Sequence, residues 1–349
     1  MAAVAPAPGP ITRQTILETL LAFKRTSVLR TAIELRVFDA LADGPRDAAY
    51  VSKAVGAPAR AVRVLLTTLA AIGYVTEHGV PEHEEFALAD GAGRFLVTTS
   101  PEYAGDATVV AASQAEWESM GALTEIVRAG TTLLDEDASS PHFTYWQDFN
   151  AHGTFATRPV AAALAEVLGD WAAEKRDTLR LLDLGCGHAL SGLLFAQAFP
   201  QTRVVGLDWP DMLTAARENA AAMGLAERTA LIAGDAFSTD LEGPYDLVVL
   251  ANLLPQYTEQ DGIRLLRRAR EVLAPGGRVV AAGFTVGDFG PAREFGGRML
   301  SLLLLAWTRG GEVPATEGCL RMFRAAGLTE PEVHDVPNLP TRLFVAARA

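Results

Sequence analysis

The sequence predicts an α/β protein: a doubly wound, largely parallel sheet in the C-terminal half, preceded by a mostly helical N-terminal region. Three observations carry this. At 349 residues the chain is longer than one hydrophobic core usually holds. From residue 179 onward, short β-branched apolar runs alternate with amphipathic segments of helical period. Before that point the pattern is helical almost throughout, with one short extended stretch.

After a leader at residues 1–10, "TILETLLAFKRTSVLRTAIEL" carries Ile16, Leu20, Leu21 and Val28 at helical spacing. "DAAYVSKAVG" and "PARAVRVLLTTLAAIGY" read as two further helices. The second of these opens near Pro58 and closes at Gly73. "VTEHGVPEHEEFAL" reads as a β-hairpin with a loose turn. Three helices and a hairpin are the order of a winged helix, which places such a domain at residues 11–100. Arg60 and Arg63 would face DNA, but the neighbouring wing carries Glu77, Glu82, Glu84 and Glu85, so dimerisation and covering a substrate is the expected role. Residues 101–175 read as a mostly helical connector, broken at "DEDASSPHFTYW".

In residues 176–349, "LRLLDLG", "TRVVGLD", "TALIAGD", "YDLVVLAN" and "GRVVAAGF" suit buried parallel strands, since both of their faces must be apolar. Segments such as "MLTAARENAAAMG" and "GIRLLRRAREVL" supply helices between them. In such a sheet ligands bind at the carboxyl ends of the strands.

Bulk properties exclude several classes. Hydrophobic residues make up 49% and charged residues 21%, as in ordinary globular proteins. A net charge of −12 repels phosphate backbones, so nucleic acid is not expected as a partner. The richest apolar stretch, "MLSLLLLAW", is too short to span a membrane, and no secretion signal opens the chain. Two cysteines, Cys186 and Cys319, give neither a disulfide framework nor a metal cluster, which suits the cytoplasm.

The strongest chemical signal is "LLDLGCGHALSG". A strand ends at Asp183, and Gly185 and Gly187 turn it into a helix, letting backbone approach a ligand closely. The second strand ends at Asp208, placed to accept from both hydroxyls of a ribose. The third ends in "AGDAF". There Asp235 can accept from an adenine amine, while Ala236 and Phe237 provide backbone and an apolar wall. His188 and Ala189 follow Gly187, so the spacing departs from the pyrophosphate loops of nicotinamide and flavin enzymes. It fits a nucleoside without phosphate.

"DLGCG", "LDWPDMLTAARENA", "GDAF" and "LAPGGRVV" resemble, in order and spacing, the motifs of class I S-adenosylmethionine-dependent methyltransferases. With its helical front, the chain is similar from about residue 12 to its end to the small-molecule O-methyltransferases of plant caffeate and bacterial polyketide-tailoring type. The resemblance implies a Rossmann-like catalytic domain, a homodimer interlocked through the front domain, and S-adenosylmethionine as cofactor. It implies that Asp183, Gly185 and Gly187 hold the methionine part, Asp208 with Trp209 the ribose, and Asp235, Ala236 and Phe237 the adenine, with Asn252 nearby. The implied acceptor is an aromatic or polyketide-like small molecule of secondary metabolism, in a substrate pocket that the resemblance implies to be lined by the connector at residues 101–175.

The likeness breaks at the catalytic residue. Where the family carries a histidine base, "NLLPQYTEQD" has Pro255, followed by Gln256 and Tyr257. Gly283 stands where an acid is common, and Glu312 lies near the place of another. Three accounts follow. Proximity alone can move a methyl from a sulfonium to an acidic phenol or an activated carbon. Another base can serve: His152 or His142 in the connector, with Tyr257 as a hydrogen-bond donor. Or the chain is a non-methylating tailoring enzyme (decarboxylase, hydroxylase or pericyclic cyclase) that keeps the cofactor as a bound cation. Trp146, Phe149, Asn150, Pro255, Gln256, Met299 and Leu303 are the expected pocket lining, with Leu302 and Trp307 beside them. His188 reads as a solvent-facing helix start and His334 as structural.

Overall fold

The computed structural model describes residues 9–349, apart from residues 81, 82, 153, 176 and 338 and the side chains of residues 154–156. The first residues of the leader and Glu82 of the wing lie outside the described residues. The chain forms two units, residues 9–113 and 114–349.

In the first unit the helix Arg13–Glu34 starts at Thr12, whose hydroxyl accepts from the Thr15 amide at 3.1 Å. Its C-terminal half packs through Val28, Leu29 and Ala32 on a core of Phe38, Leu41, Val51, Val62, Leu66, Leu69 and Phe86. Its N-terminal half leaves Ile16, Leu17, Leu20 and Leu21 exposed, a stripe that this unit does not cover. The expected helices appear as Ala48–Val55 and Ala59–Ala71, the latter with Pro58 at its N-cap. The hairpin forms from β2 (Val75–His78) and β3 (Glu85–Leu88), paired antiparallel with Val75 opposite Leu88. Nothing in the residue pattern marks β1 (Arg46–Asp47), a two-residue strand on the outer side of β3.

The second unit opens with helices Gln114–Gly121, Leu123–Ala129, Tyr145–His152, Thr154–Val167 and Gly169–Glu174, with the break where the sequence placed it. Then come β4 (Leu179–Leu184), β5 (Thr202–Asp208), β6 (Thr229–Ala233), β7 (Tyr245–Ala251), β8 (Leu273–Phe284), β9 (Glu332–Asp335) and β10 (Thr341–Ala346). Their order across the sheet is β6-β5-β4-β7-β8-β10-β9. Strands β4 to β8 are mutually parallel, and β10 runs antiparallel to both β8 and β9.

Alternate residues of the central strands feed two separate cores. Leu181, Val204, Leu247, Val249 and Val280 face one, with Val160, Leu164, Leu193 and Ala216 from the helices. Leu182, Leu184, Leu207, Val248, Leu250 and Val279 face the other, with Leu265, Leu266, Met322 and Phe323. A sheet covered on both faces needs uninterrupted apolar strands, which is why these were readable as runs. The chain leaves β4 toward β5 and β6, then returns to build β7 and β8 on its other side. That reversal opens a crevice at the carboxyl ends of β4 and β7. Among the described residues no single helix is long and apolar enough to cross a membrane.

Candidate functional site

At the end of β4 the backbone turns left-handed at Gly185 (φ 70°), Gly187 (φ 51°) and Ala189 (φ 57°) before entering the helix Leu190–Ala198. Glycine is favoured at the first two by their positive φ, and a side chain there would also displace a neighbour. A Cβ on Gly185 would lie 2.7 Å from Leu253 Cδ1, and one on Gly187 2.5 Å from Asn150 Oδ1. The turn is stitched to the tip of β5. Gly185 and Cys186 both donate to the Leu207 carbonyl, and the Gly187 amide donates to Asp208 Oδ2 at 2.7 Å. The other oxygen of Asp208 accepts from the Trp209 amide at 2.7 Å.

Asp183, 1% exposed, accepts from the Gly192 amide at 3.0 Å. Burial raises its carboxyl to about 7, the Gly192 amide works against this, and the charge of Asp208 adds to it. Burial also raises Asp208, partly offset by the amides of Gly187 and Trp209.

Beyond β6 the Gly234 amide donates to the Asp208 carbonyl, and Asp235 accepts from the Phe237 amide at 2.9 Å and from the Ser238 hydroxyl at 2.9 Å. Ala236 is buried. The Phe237 ring meets Tyr257 edge-on at 5.0 Å, and Arg264 lies over its face at 4.9 Å. Burial, with the charges of Asp208 and Asp235 close by, raises the Tyr257 hydroxyl, so it stays protonated and keeps a proton to donate.

Asn252, left-handed at φ 54°, follows β7, and its carbonyl accepts from Gln256 Nε2 at 3.2 Å. Pro255 is buried in a short 3₁₀ turn, Leu254–Gln256. A Cβ on Gly283 would lie 3.7 Å from Pro255 Cγ. The two positions at which the sequence departs from the ionisable residues that the resemblance implies are therefore neighbours, and neither Pro255 nor Gly283 has a side chain that can carry a proton.

Other sequence-predicted residues fall differently. Trp146 and Phe149 meet edge-on at 5.9 Å, and Trp146 lies 6.4 Å from Trp307, so three expected wall residues share one aromatic cluster. Tyr145, which the sequence did not single out, is at its centre, 4.4 Å from Trp307. Asn150 is buried with its carboxamide beside Gly187 and donates from Nδ2 to Met212 Sδ at 3.2 Å, so it faces the glycine turn. His142 and Glu312 are exposed, Met299 is 40% exposed, and Leu303 and His152 are half-buried. His188 is not at the surface as expected; it is buried at 6% exposure. His334 lies within β9, paired with Leu343.

The crevice fits S-adenosylmethionine on its own terms. The backbone turns sharply through two left-handed glycines at the end of β4, a carboxylate ends β5, aromatic edges lie beside Asp235, and the acidic lining suits a cation rather than a phosphate. Among the described residues no His, Cys, Asp and Glu cluster could hold a metal ion.

Residues 181–277 match the methyltransferase domain family, and residues 17–98 match the O-methyltransferase dimerisation domain family. Acetylserotonin O-methyltransferase of Mus musculus is 30% identical over 93% of this chain and 86% of its own length. A solved O-methyltransferase-type structure from Nostoc punctiforme superposes with a TM-score of 0.85 at 27% identity, covering 97% of this chain and 99% of that one. PigF, an S-adenosyl-L-methionine-dependent methyl transferase of Serratia, is 24% identical over 97% of both chains. Its structure with S-adenosylhomocysteine has a TM-score of 0.82. The chain therefore belongs to the O-methyltransferase family: it is an S-adenosylmethionine-dependent methyltransferase that carries an O-methyltransferase dimerisation domain.

Proposed function

We propose that the enzyme methylates an aromatic or polyketide-like small molecule of secondary metabolism, without a base at position 255, and works as a cytoplasmic homodimer. The observation that carries the catalytic part is that a Cβ on Gly283 would lie 3.7 Å from Pro255 Cγ, so the two positions adjoin and neither residue has a side chain that accepts a proton. In this reading Asp183, Gly185 and Gly187 hold the methionine portion, Asp208 with Trp209 the ribose, and Asp235, Ala236 and Phe237 the adenine, closed by Asn252. When bound, the cofactor supplies an electrophilic sulfonium methyl. The protein's part is to exclude water, orient a flat acceptor against Trp146, Phe149 and the Leu303 side of its helix, and hold it in line.

Tyr257 donates a hydrogen bond, since its proton is retained. The acceptor's proton goes to His152, the half-buried histidine of the connector, or to water when the acceptor is already acidic. Incubation with methyl-labelled cofactor and a panel of phenols tests this. Label is expected in the product, with the rate rising as the phenol's own pKa falls. Product that is chemically changed but unlabelled would replace this reading with a non-methylating reaction. His152→Ala is expected to slow weakly acidic phenols more than strongly acidic ones.

The homodimer reading is supported by the dimerisation-domain match and the exposed stripe Ile16, Leu17, Leu20 and Leu21. Leu17→Glu with Leu20→Glu is expected to turn a dimer into a monomer in light scattering. A mass unchanged by this pair would place the interface elsewhere.

A further inference from the structure

The glycine turn is fastened by a histidine that has no part in the assignments above. His188 Nδ1 accepts from the Leu190 amide at 3.2 Å. An accepting Nδ1 carries no proton, so the ring's single proton is on Nε2, 3.1 Å from Thr157 Oγ1. The carbonyl of His188 accepts from Asn219 Nδ2 at 3.0 Å. One residue thus ties the turn to the start of its own helix, to the helix Thr154–Val167 and to the helix Leu213–Ala222.

The turn needs such a tie. Ala189, next in the chain, holds a left-handed backbone that alanine disfavours, and its N–H is committed to the Cys186 carbonyl at 2.7 Å. Burial lowers the imidazole to about 4, so the donor and acceptor pattern of the ring is constant at neutral pH.

We infer that His188, oriented by Thr157, is a positioning residue for cofactor binding: it holds the Gly185–Ala189 turn in the curvature that receives the methionine end of S-adenosylmethionine. The inference rests on the assignment of that turn to the methionine portion. Asn150 presses on the same turn at Gly187 from the preceding helix, Tyr145–His152, so the connector holds the turn at two points.

Calorimetric titration of the full chain with S-adenosylhomocysteine tests the inference, with thermal midpoints recorded for each variant. His188→Ala is expected to weaken binding about fivefold to tenfold, the effect of losing one or two neutral hydrogen bonds. His188→Asn places an oxygen where Nδ1 was and accepts the amide two residues on, so it is expected to stay within about threefold of the parent. Thr157→Val, which keeps the volume and removes the hydroxyl, is expected to weaken binding about threefold, and to add little on top of His188→Ala. In turnover the loss is expected in KM for S-adenosylmethionine, with kcat changed less than about twofold.

Parent-like affinity in His188→Ala, or an equal loss in the alanine and asparagine variants, would overturn the inference. Should His188→Ala not fold, parent-like binding by Thr157→Val would do the same. Asp208→Ala is the control for the underlying assignment. If it binds as the parent does, the crevice reading fails and takes this inference with it. If Asp208→Ala is weakened while His188→Ala is not, only the inference about His188 fails.

Discussion

Asp208→Ala is expected to weaken binding of both S-adenosylmethionine and S-adenosylhomocysteine by about 100-fold or more, because two charge-assisted hydrogen bonds to ribose hydroxyls disappear together. The carboxylate is well prepared for that task. The amides of Gly187 and Trp209 each donate to one of its oxygens, which fixes its plane and leaves the remaining lone pairs for a ligand. Its removal also frees the Gly187 amide, so the turn at the end of β4 loses one of its ties to β5 and keeps those to the Leu207 carbonyl. Asp208→Asn keeps an acceptor and is expected to fall between parent and alanine. The effect should be alike for the two ligands, since they differ at sulfur and not at ribose. Calorimetry on the parent and both variants measures it, and an Asp208→Ala protein that binds within about threefold of the parent would remove the ribose from this strand tip.

Why some of this was legible in the sequence and some not follows from where the information lies. Strands β4, β5, β7 and β8 are buried on both faces at their centres, so apolar residues dominate "LRLLDL" and "YDLVVLA", and the run is visible without knowing its partners. Strands β1 and β9 are two and four residues long and mostly exposed, and only the tertiary pairing makes them strands. The glycine turn and the acidic strand tips were readable because their requirements are local: a positive φ, a short loop, a carboxylate at a strand end.

His188 was misread because its environment is made by Thr157 and Asn219, on other helices, and a residue beside two glycines looks exposed when considered alone. For the same reason, Asn150 gave no sign of its contact with the glycine turn. Its helix was read correctly, but which face meets Gly187 is set by how that helix packs on the sheet. That Pro255 stands where the resemblance implies a histidine was readable; that Gly283 adjoins it was not, since one is in the turn after β7 and the other near the end of β8.

A second large effect is expected at Asp183. In the folded chain without ligand burial raises this carboxyl to about 7, against about 4 in an unfolded chain. The folded state therefore holds the proton more tightly. The stabilising contribution is complete below pH about 4 and declines as pH rises; above pH about 7 it is lost, a change of about 4 kcal/mol. His188 has the opposite sign. Its folded value of about 4 lies below the ordinary 6.5, so its contribution is complete above pH 6.5 and is lost as pH falls toward 4, about 3 kcal/mol in all. Between these limits the two oppose each other, and above pH about 6.5 the Asp183 contribution alone still falls.

Asp183→Asn keeps an oxygen for the Gly192 amide and removes the charge. Without ligand it is expected to gain stability from pH 5 to 6.5 and to exceed the parent at pH 8, in denaturant unfolding at those three values. A parent that is as stable as the variant at pH 8 would mean the carboxylate is ionised at no cost to the fold. The same charge should couple protons to ligand binding. A cation brought beside Asp183 and Asp208, both raised by burial, favours their ionised forms, so binding of S-adenosylmethionine near pH 6.5 is expected to release about one proton per site. Binding heats should then depend on the ionisation enthalpy of the buffer, and less so in Asp183→Asn. Heats independent of buffer in the parent would show that these carboxyls have already lost their protons before the ligand arrives.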